Sequence, residues 1–519
     1  MTTGQVGCAA GAILAAAYVL VLGVLSPLTL QDFPAHLETA VTMADLVFHG
    51  GSRFGGMFTY HFLFVPYWLG DFGFAALVEL LGPQAGGACW VAFVFLSLPC
   101  ALLYFMHVSG VPVERRALLF LLSLYLATDW FFLMGFLSFR LGLAITLVNL
   151  ALVSRLRTQW STPLFLTYAV VVSLGYLTHL TTIAFLLPAV AVPGCLRLWR
   201  RTSAVRIEAL LLAPIVALGA WHFGVAAGYT LPGDPIENPY TWGSIDQKLA
   251  GLDVELVRFR PPWDAAMALG LALCMAVSVG RVRLRNLLDS PVLEMLLLAG
   301  TFIAIYLVLP MGYSEAWYVD VRALALVTLC LILACAMLPS VTPWARKSGP
   351  ALATFAAAVL VALNLVYLER HLARGLAWLG QYRAVLAALP TGARVLPVVT
   401  RSRDGYIATQ RHADAFITID RGGLMPYAFT ADTANPEKYL RYVHKPYAPV
   451  ERWYFDRAER SVDWRSIERD YDYVLIDKPY DARRIPLALT TVAENGSAAL
   501  VAIRKDPPPP SSLLTSGPH

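Results

Sequence analysis

Apolar residues run through the first three quarters of this chain in long blocks, separated by short polar or basic stretches. The blocks stand near 6–26, 87–107, 117–134, 136–153, 162–180, 181–197, 205–227, 264–282, 291–310, 322–338 and 350–368. At 1.5 Å of rise per residue, a helix of about 20 apolar residues covers the hydrocarbon thickness of a bilayer. The pattern therefore predicts a mainly α, polytopic membrane protein with about eleven transmembrane helices. The first block has neither a basic flank nor a clear cleavage site, so it is expected to remain as a helix.

Two stretches after the first block break the pattern. In Leu30 to Phe48, LQDFPAHLETAVTMADLVF, a helical period puts Leu37, Val41, Ala44 and Phe48 on one face, with Pro34 in the first turn. That predicts an interfacial helix with its apolar side in lipid. Segment 61–82 is apolar too, yet holds Pro66, Asp71, Glu79 and several glycines. If it does not span, the loops with Arg115–Arg116, Arg155–Arg157, Arg197–Arg206, Arg281–Arg285 and Arg346–Lys347 share one side, which the positive-inside rule makes cytoplasmic. It is accordingly a second interfacial or re-entrant helix. The N-terminus is then cytoplasmic and the C-terminal third lies outside.

By composition the chain is 57% hydrophobic and 14% charged, with a mean hydropathy of +0.59, which excludes an ordinary soluble enzyme. Charge is concentrated after residue 369, where roughly half of the Lys, Arg, Asp and Glu residues lie. An amphipathic stretch at 369–389 is followed by strand-like runs at 394–399, 415–419 and 473–476 and by a hairpin turning at Asn495-Gly496. The division expected is a membrane domain over 1–368, with a first outer loop at 28–86, then a small extracytoplasmic α/β domain over 369–506 and a disordered Pro/Ser-rich tail at 507–519. The net charge of +5 is too small to imply nucleic acid. All seven cysteines sit in apolar blocks, which predicts neither disulfides nor a zinc site.

No phosphate loop, dinucleotide fingerprint, HExxH or CxxC occurs. Asp470-Tyr471-Asp472 has DxD spacing, a match too short to weigh much. The more informative polar residues gather on one predicted side. Asp32, His36 and Glu38 crowd into seven residues at a membrane edge, and Asp32 either caps the following helix or serves in chemistry. Asp129 and Arg140 flank an expected outer hairpin at Gly135 and fall at similar depth, as a structural ion pair or as catalytic groups. His61, His179, Lys248, Arg258, Arg260 and Arg322 face the same side, Arg322 as a membrane anchor or as a phosphate grip. On the opposite side Glu208 and Glu294 lie at helix starts, expected near water. An outward cavity holding both carboxylates and cations suits a lipid-borne phosphate and a group needing a general base.

An Asp just after the first span, an interfacial helix, a second one opening with His61 and Pro66, and a many-helix body with an exported C-terminal domain resemble the GT-C membrane glycosyltransferases. That group includes protein O-mannosyltransferases, the aminoarabinose transferase of lipid A and oligosaccharyltransferases. Asp32 in QDFPAH matches the family's first-loop catalytic Asp, and Asp129 resembles the acidic residue of its second outer loop. The resemblance implies an inverting transfer from a polyprenyl-phosphate sugar donor to a lipid, glycan or protein acceptor at the outer face of a membrane, a bacterial inner membrane or an ER membrane. Asp32 and Asp129 would be catalytic, with His36, Glu38, His61, Arg140, His179, Arg258, Arg260 and Arg322 around the substrates. The run YHFLFVPYW departs from the family's His/Lys-Pro-Pro opening. No second acid adjoins Asp32, which leaves use of a divalent metal open. The rival expectation is a non-catalytic scaffold of the same fold, or a transporter of lipid-linked saccharides.

Overall fold

The computed structural model describes residues 3–25, 29–202, 204–225, 240–253, 261–280, 284–288, 290–313, 316–338, 343–399, 407, 410–428, 439–449, 455, 459–478 and 480–505. It resolves into two compact units. The membrane unit comprises Met1–Leu376 together with Arg403–His412 and Ala428–Val443, and the C-terminal unit comprises Ala377–Ser402, Ala413–Tyr427 and His444–His519.

The helices of the membrane unit are α1 (Thr3–Leu25), α2 (Phe33–Phe48), α3 (Trp68–Val108), α4 (Val113–Ala127), α5 (Trp130–Leu133), α6 (Leu137–Thr158), α7 (Thr162–Thr178), α8 (Leu180–Trp199), α9 (Val205–Gly224), α10 (Ile245–Ala250), α11 (Pro261–Val279), α12 (Leu284–Leu287), α13 (Ser290–Val308), α14 (Arg322–Met337) and most of α15 (Pro343–Leu386). Among the described residues nine helical stretches are long and apolar enough to cross a membrane, and two more apolar helices, α7 and α14, are shorter at 17 and 16 residues. The chain is an integral membrane protein, and each predicted block is matched by one of these stretches.

Segment 61–82 is not helical throughout. Residues 61–65 belong to no helix or strand, and α3 starts only at Trp68. It breaks at Gly82 (φ 78°, ψ 166°), where Pro83 restarts it as a first-turn residue lacking an N–H. The expectation for α2 also needs correction. Leu37, Val41 and Ala44 are buried within the protein and only Phe48 is substantially exposed. The apolar face meets the first half of α3 through Phe33–Phe74 and Phe48–Phe72 ring contacts.

Glu208 and Glu294 are buried as well, not near water. Arg157 reaches both oxygens of Glu208, at 3.1 and 2.7 Å, and Arg197 reaches Glu294 at 2.9 Å. Each acid sits in the first turns of a helix, where the helix dipole favours negative charge, and each arginine comes from the end of another helix. Arg115, one of the basic-loop residues, is fully buried and donates to the carbonyls of Ala336 and Leu338 at the end of α14.

A two-stranded clasp joins distant parts of the membrane unit. Strand β1 (Phe58–Tyr60) pairs antiparallel with Leu440–Tyr442, and Tyr439 donates its hydroxyl to the buried Asp71 on α3. Two-residue strands β2 (Tyr240–Thr241), β3 (Gly312–Tyr313) and β4 (Ala316–Trp317) form a second small sheet.

In the C-terminal unit β5 (Val395–Val398) runs parallel to Tyr473–Asp477, and the hairpin of Leu489–Glu494 and Ala498–Ile503 completes a four-stranded sheet. With Leu440–Tyr442 as β6, these three strands are β7, β8 and β9. Leu396, Val398, Val474, Ile476, Val501 and Ile503 fill the core against Ile467 and Tyr471. Asn495 turns the hairpin, its Oδ1 accepting from Ser497 and Ala498 N–H. The strand expected at 415–419 is instead helical, within α16 (Phe416–Arg421) and the 3-10 turn before it. Gly422, in the left-handed region at φ 60°, ends that helix, a stop signal that outweighs the strand propensity of the isoleucines. A further helix, α17 (Trp464–Asp470), leads into β7.

Candidate functional site

Asp32 stands in the turn between α1 and α2, and a hairpin holds that turn in place. Gln31 N–H donates to Leu133 O at 3.1 Å and Asp32 N–H to Met134 O at 2.9 Å. The close approach requires glycine at 135: its φ is +88°, and a Cβ there would meet the Asp32 and Phe33 nitrogens at 2.9 Å.

The Asp32 side chain makes no capping bond to α2, so the capping explanation of this residue fails. Its Oδ1 instead lies 3.3 Å from His412 Nε2 and accepts from Gln31 Nε2 at 3.2 Å. Burial pushes the carboxyl up, but the His412 hydrogen bond and charge, aided by Arg411 and His36, hold it below the usual carboxylate range. Asp32 is therefore ionised at neutral pH. Burial pushes His36 down to about 4 despite the Asp32 charge, with His412 adding to the depression, so His36 is neutral there. Glu38 is buried on the same helix.

Asp129 is the N-cap of α5. One oxygen accepts from Phe132 N–H at 2.9 Å and the other faces Arg140 Nη1 at 2.5 Å, while Arg140 Nη2 donates to Leu126 O. The pair is almost completely buried and underpins the hairpin that seats Asp32.

Arg322 opens α14 in a different state. Its guanidinium lies over the rings of Phe136 and Phe139, 5.2 and 5.7 Å from their centroids. It donates a long hydrogen bond of 3.4 Å to Trp317 O. Among the described residues no carboxylate pairs with it, although the residue is only 8% exposed. The neighbouring Asp320 is taken by Lys248, which also donates to the carbonyls of Tyr306 and Leu309. His179 reaches the same Phe139 ring at 5.6 Å. Its Nδ1 accepts from Thr181 N–H at 3.1 Å, which leaves the proton on Nε2, 3.0 Å from the Tyr67 hydroxyl.

The structure thus links Asp32, Asp129, Arg140, His179 and Arg322 through the hairpin and its aromatic residues. His61 is not brought in: it is exposed in the non-helical segment after β1, where its N–H donates to Tyr439 O. Arg258 and Arg260 lie outside the described residues. His412, Arg411, Gln31 and Tyr67 were not singled out from the sequence, and only Tyr67 has an anomaly of its own, a left-handed backbone at φ 72°. Among the described residues no three His, Cys, Asp or Glu side chains converge as a metal site requires. In the DxD run, Asp470 is engaged by Arg469 and by Tyr447 N–H, and Asp472 by Arg394 and Lys505.

The helical body carrying a first-loop Asp and a C-terminal α/β unit has a fold found among solved structures. It is shared with ArnT from Cupriavidus metallidurans. The apo ArnT structure superimposes with a TM-score of 0.55 at 13% sequence identity, over 95% of this chain and 97% of that one. ArnT bound to undecaprenyl phosphate gives 0.51 at 14% identity, over the same shares. No protein-family model matches the chain, and no curated protein matches it in sequence.

Proposed function

We propose that this chain is an inverting glycosyltransferase of a bacterial inner membrane, with its N-terminus cytoplasmic and its C-terminal domain periplasmic. It moves a sugar from a polyprenyl-phosphate donor to a lipid, glycan or protein acceptor at the outer face. One of the two ArnT structures holds undecaprenyl phosphate, and that ligand class is carried over here. The observation that carries the reading is Asp32, a largely buried carboxylate that caps nothing and stays ionised. In the reaction Asp32 accepts the acceptor hydroxyl's proton as that oxygen attacks the anomeric carbon, and the polyprenyl phosphate leaves with the bonding electrons. Arg322, lacking a carboxylate partner among the described residues, supplies positive charge and a planar donor fork for that phosphate.

Asp32→Asn keeps the shape but cannot take the proton. General-base catalysis contributes about 10²- to 10⁴-fold. The variant should lose that much transfer while still folding and binding undecaprenyl phosphate. Full complementation of a deletion strain at matched protein level would remove the base and leave a scaffold or transporter of the same fold.

A further inference from the structure

We propose that His412 is a positioning residue for Asp32, brought to the outer-loop turn by a segment of the C-terminal third, and that it selects which carboxylate oxygen receives the acceptor's proton. The inference rests on Asp32 being the base.

Residues 403–412 belong to the membrane unit although they follow more than twenty residues of the C-terminal unit in the chain. His412 is 4% exposed, and its Nε2 lies 3.3 Å from Asp32 Oδ1. Gln31 Nε2 reaches the same oxygen. Among the described residues no hydrogen bond reaches Oδ2. The carboxylate is therefore asymmetric: two donors fix Oδ1, and Oδ2 is the oxygen left to accept a proton. A carboxylate held by one donor alone can rotate about its Cβ–Cγ bond and present either oxygen; a second donor on a different element removes that freedom. Gln31 rides on the same turn as Asp32 and moves with it, so the external reference is His412.

The groups around Asp32 are His412 and Arg411 from the returning segment and His36 from α2, while the hairpin contributes only backbone carbonyls. His412 in turn faces Asp32 and His36. The same donor that orients Asp32 also lowers its basicity, so removing it has two separable effects. The rate falls because the oxygen is no longer aimed, and the acid limb of the pH profile rises because the carboxyl takes up its proton at higher pH.

The test uses the full-length protein in vesicles made with a lipid extract of its source membranes, with turnover read as undecaprenyl phosphate released across pH 4 to 9. His412→Ala should lose about 10- to 100-fold in turnover, the cost of a misaimed group, and its acid limb should move to higher pH. Affinity for undecaprenyl phosphate should stay unchanged. His412→Gln keeps an N–H donor without an ionisable ring, so it should recover most of the turnover, with its limb between the other two. Wild-type turnover and an unmoved acid limb in His412→Ala, beside an inactive Asp32→Asn, overturn the proposal and leave the base intact. Equal loss in both His412 variants with an unmoved limb also overturns it, since that is simple loss of packing. If His412→Ala fails to fold, the limb of His412→Gln decides: a shift supports the proposal and none refutes it. An active Asp32→Asn removes both readings together.

Discussion

The Asp129–Arg140 pair offers a measurement of what seats Asp32. Both side chains are nearly dry, the contact is 2.5 Å, and the backbone engages each, Phe132 N–H the acid and Leu126 O the guanidinium. Asp129→Asn keeps the cap of α5, because Asn caps about as well as Asp, and removes only the charge. Arg140 is then a buried cation with a single carbonyl, and breaking a buried pair from one side costs about 3 to 5 kcal/mol. Arg140→Met should cost the lower part of that range, since Asp129 retains the Phe132 N–H and can take up a proton. The double variant strands no charge and should return to within about 1 to 2 kcal/mol of wild type. Unfolding by SDS titration in mixed micelles, followed by tryptophan fluorescence, measures all three. A double variant as unstable as the sum of the singles would refute the argument, and so would single losses under about 1 kcal/mol. The same proteins test whether Asp129 also acts in chemistry: a double variant restored in stability and in turnover assigns it to the hairpin alone.

For Arg322, replacement by Ala should weaken undecaprenyl phosphate binding by about 10- to 100-fold, the value of charge-assisted hydrogen bonds, and Lys should weaken it less; unaltered affinity in both would make Arg322 a membrane anchor. In a background lacking the native cysteines, Glu494→Cys should react with an impermeant thiol reagent on intact cells and Arg155→Cys should not; the reverse pattern would overturn the orientation. Burial, with the Asp414 charge beside it, pushes Asp477 well above the ordinary carboxyl value of 3.8. The folded state then holds that proton more tightly than the unfolded chain, so Asp477 costs stability as pH rises above about 3.8. Asp477→Asn should slow hydrogen exchange of β7 and β9 at pH 7.5 and lose that advantage near pH 3.5; no difference between the two pH values would refute the assignment.

The spans were legible because bilayer thickness fixes the length of an apolar block, whatever its neighbours. Asp32 was legible because a charge beside a span is costly and so stands out. What covers a helix was not: amphipathicity marks the apolar face of α2 but is silent on whether lipid or α3 meets it. Partner choice was equally hidden. Nothing in the order of residues says that Lys248 takes Asp320 and leaves Arg322 without an acid among the described residues. Glu208 and Glu294 looked like solvated helix starts because their arginines come from other helices. His412 was the hardest to see, a single histidine in a polar stretch whose meaning is a tertiary contact with the first loop. The helix at 416–421 could have been read from Gly422-Gly423, had the stop signal been weighed above the isoleucines.

The clasp between β1 and β6 also governs when this protein is finished. Asp71 and Tyr439 are separated by 368 residues, and at a synthesis rate of about 5 to 20 residues per second the second follows the first by about 20 to 70 s. Throughout that interval β1 exposes an open edge and Asp71 awaits its hydroxyl donor. A nascent chain stalled or cut anywhere before Tyr442 therefore displays an unpaired strand. A surveillance protease would need to recognise only this edge to distinguish an incomplete chain from a complete one.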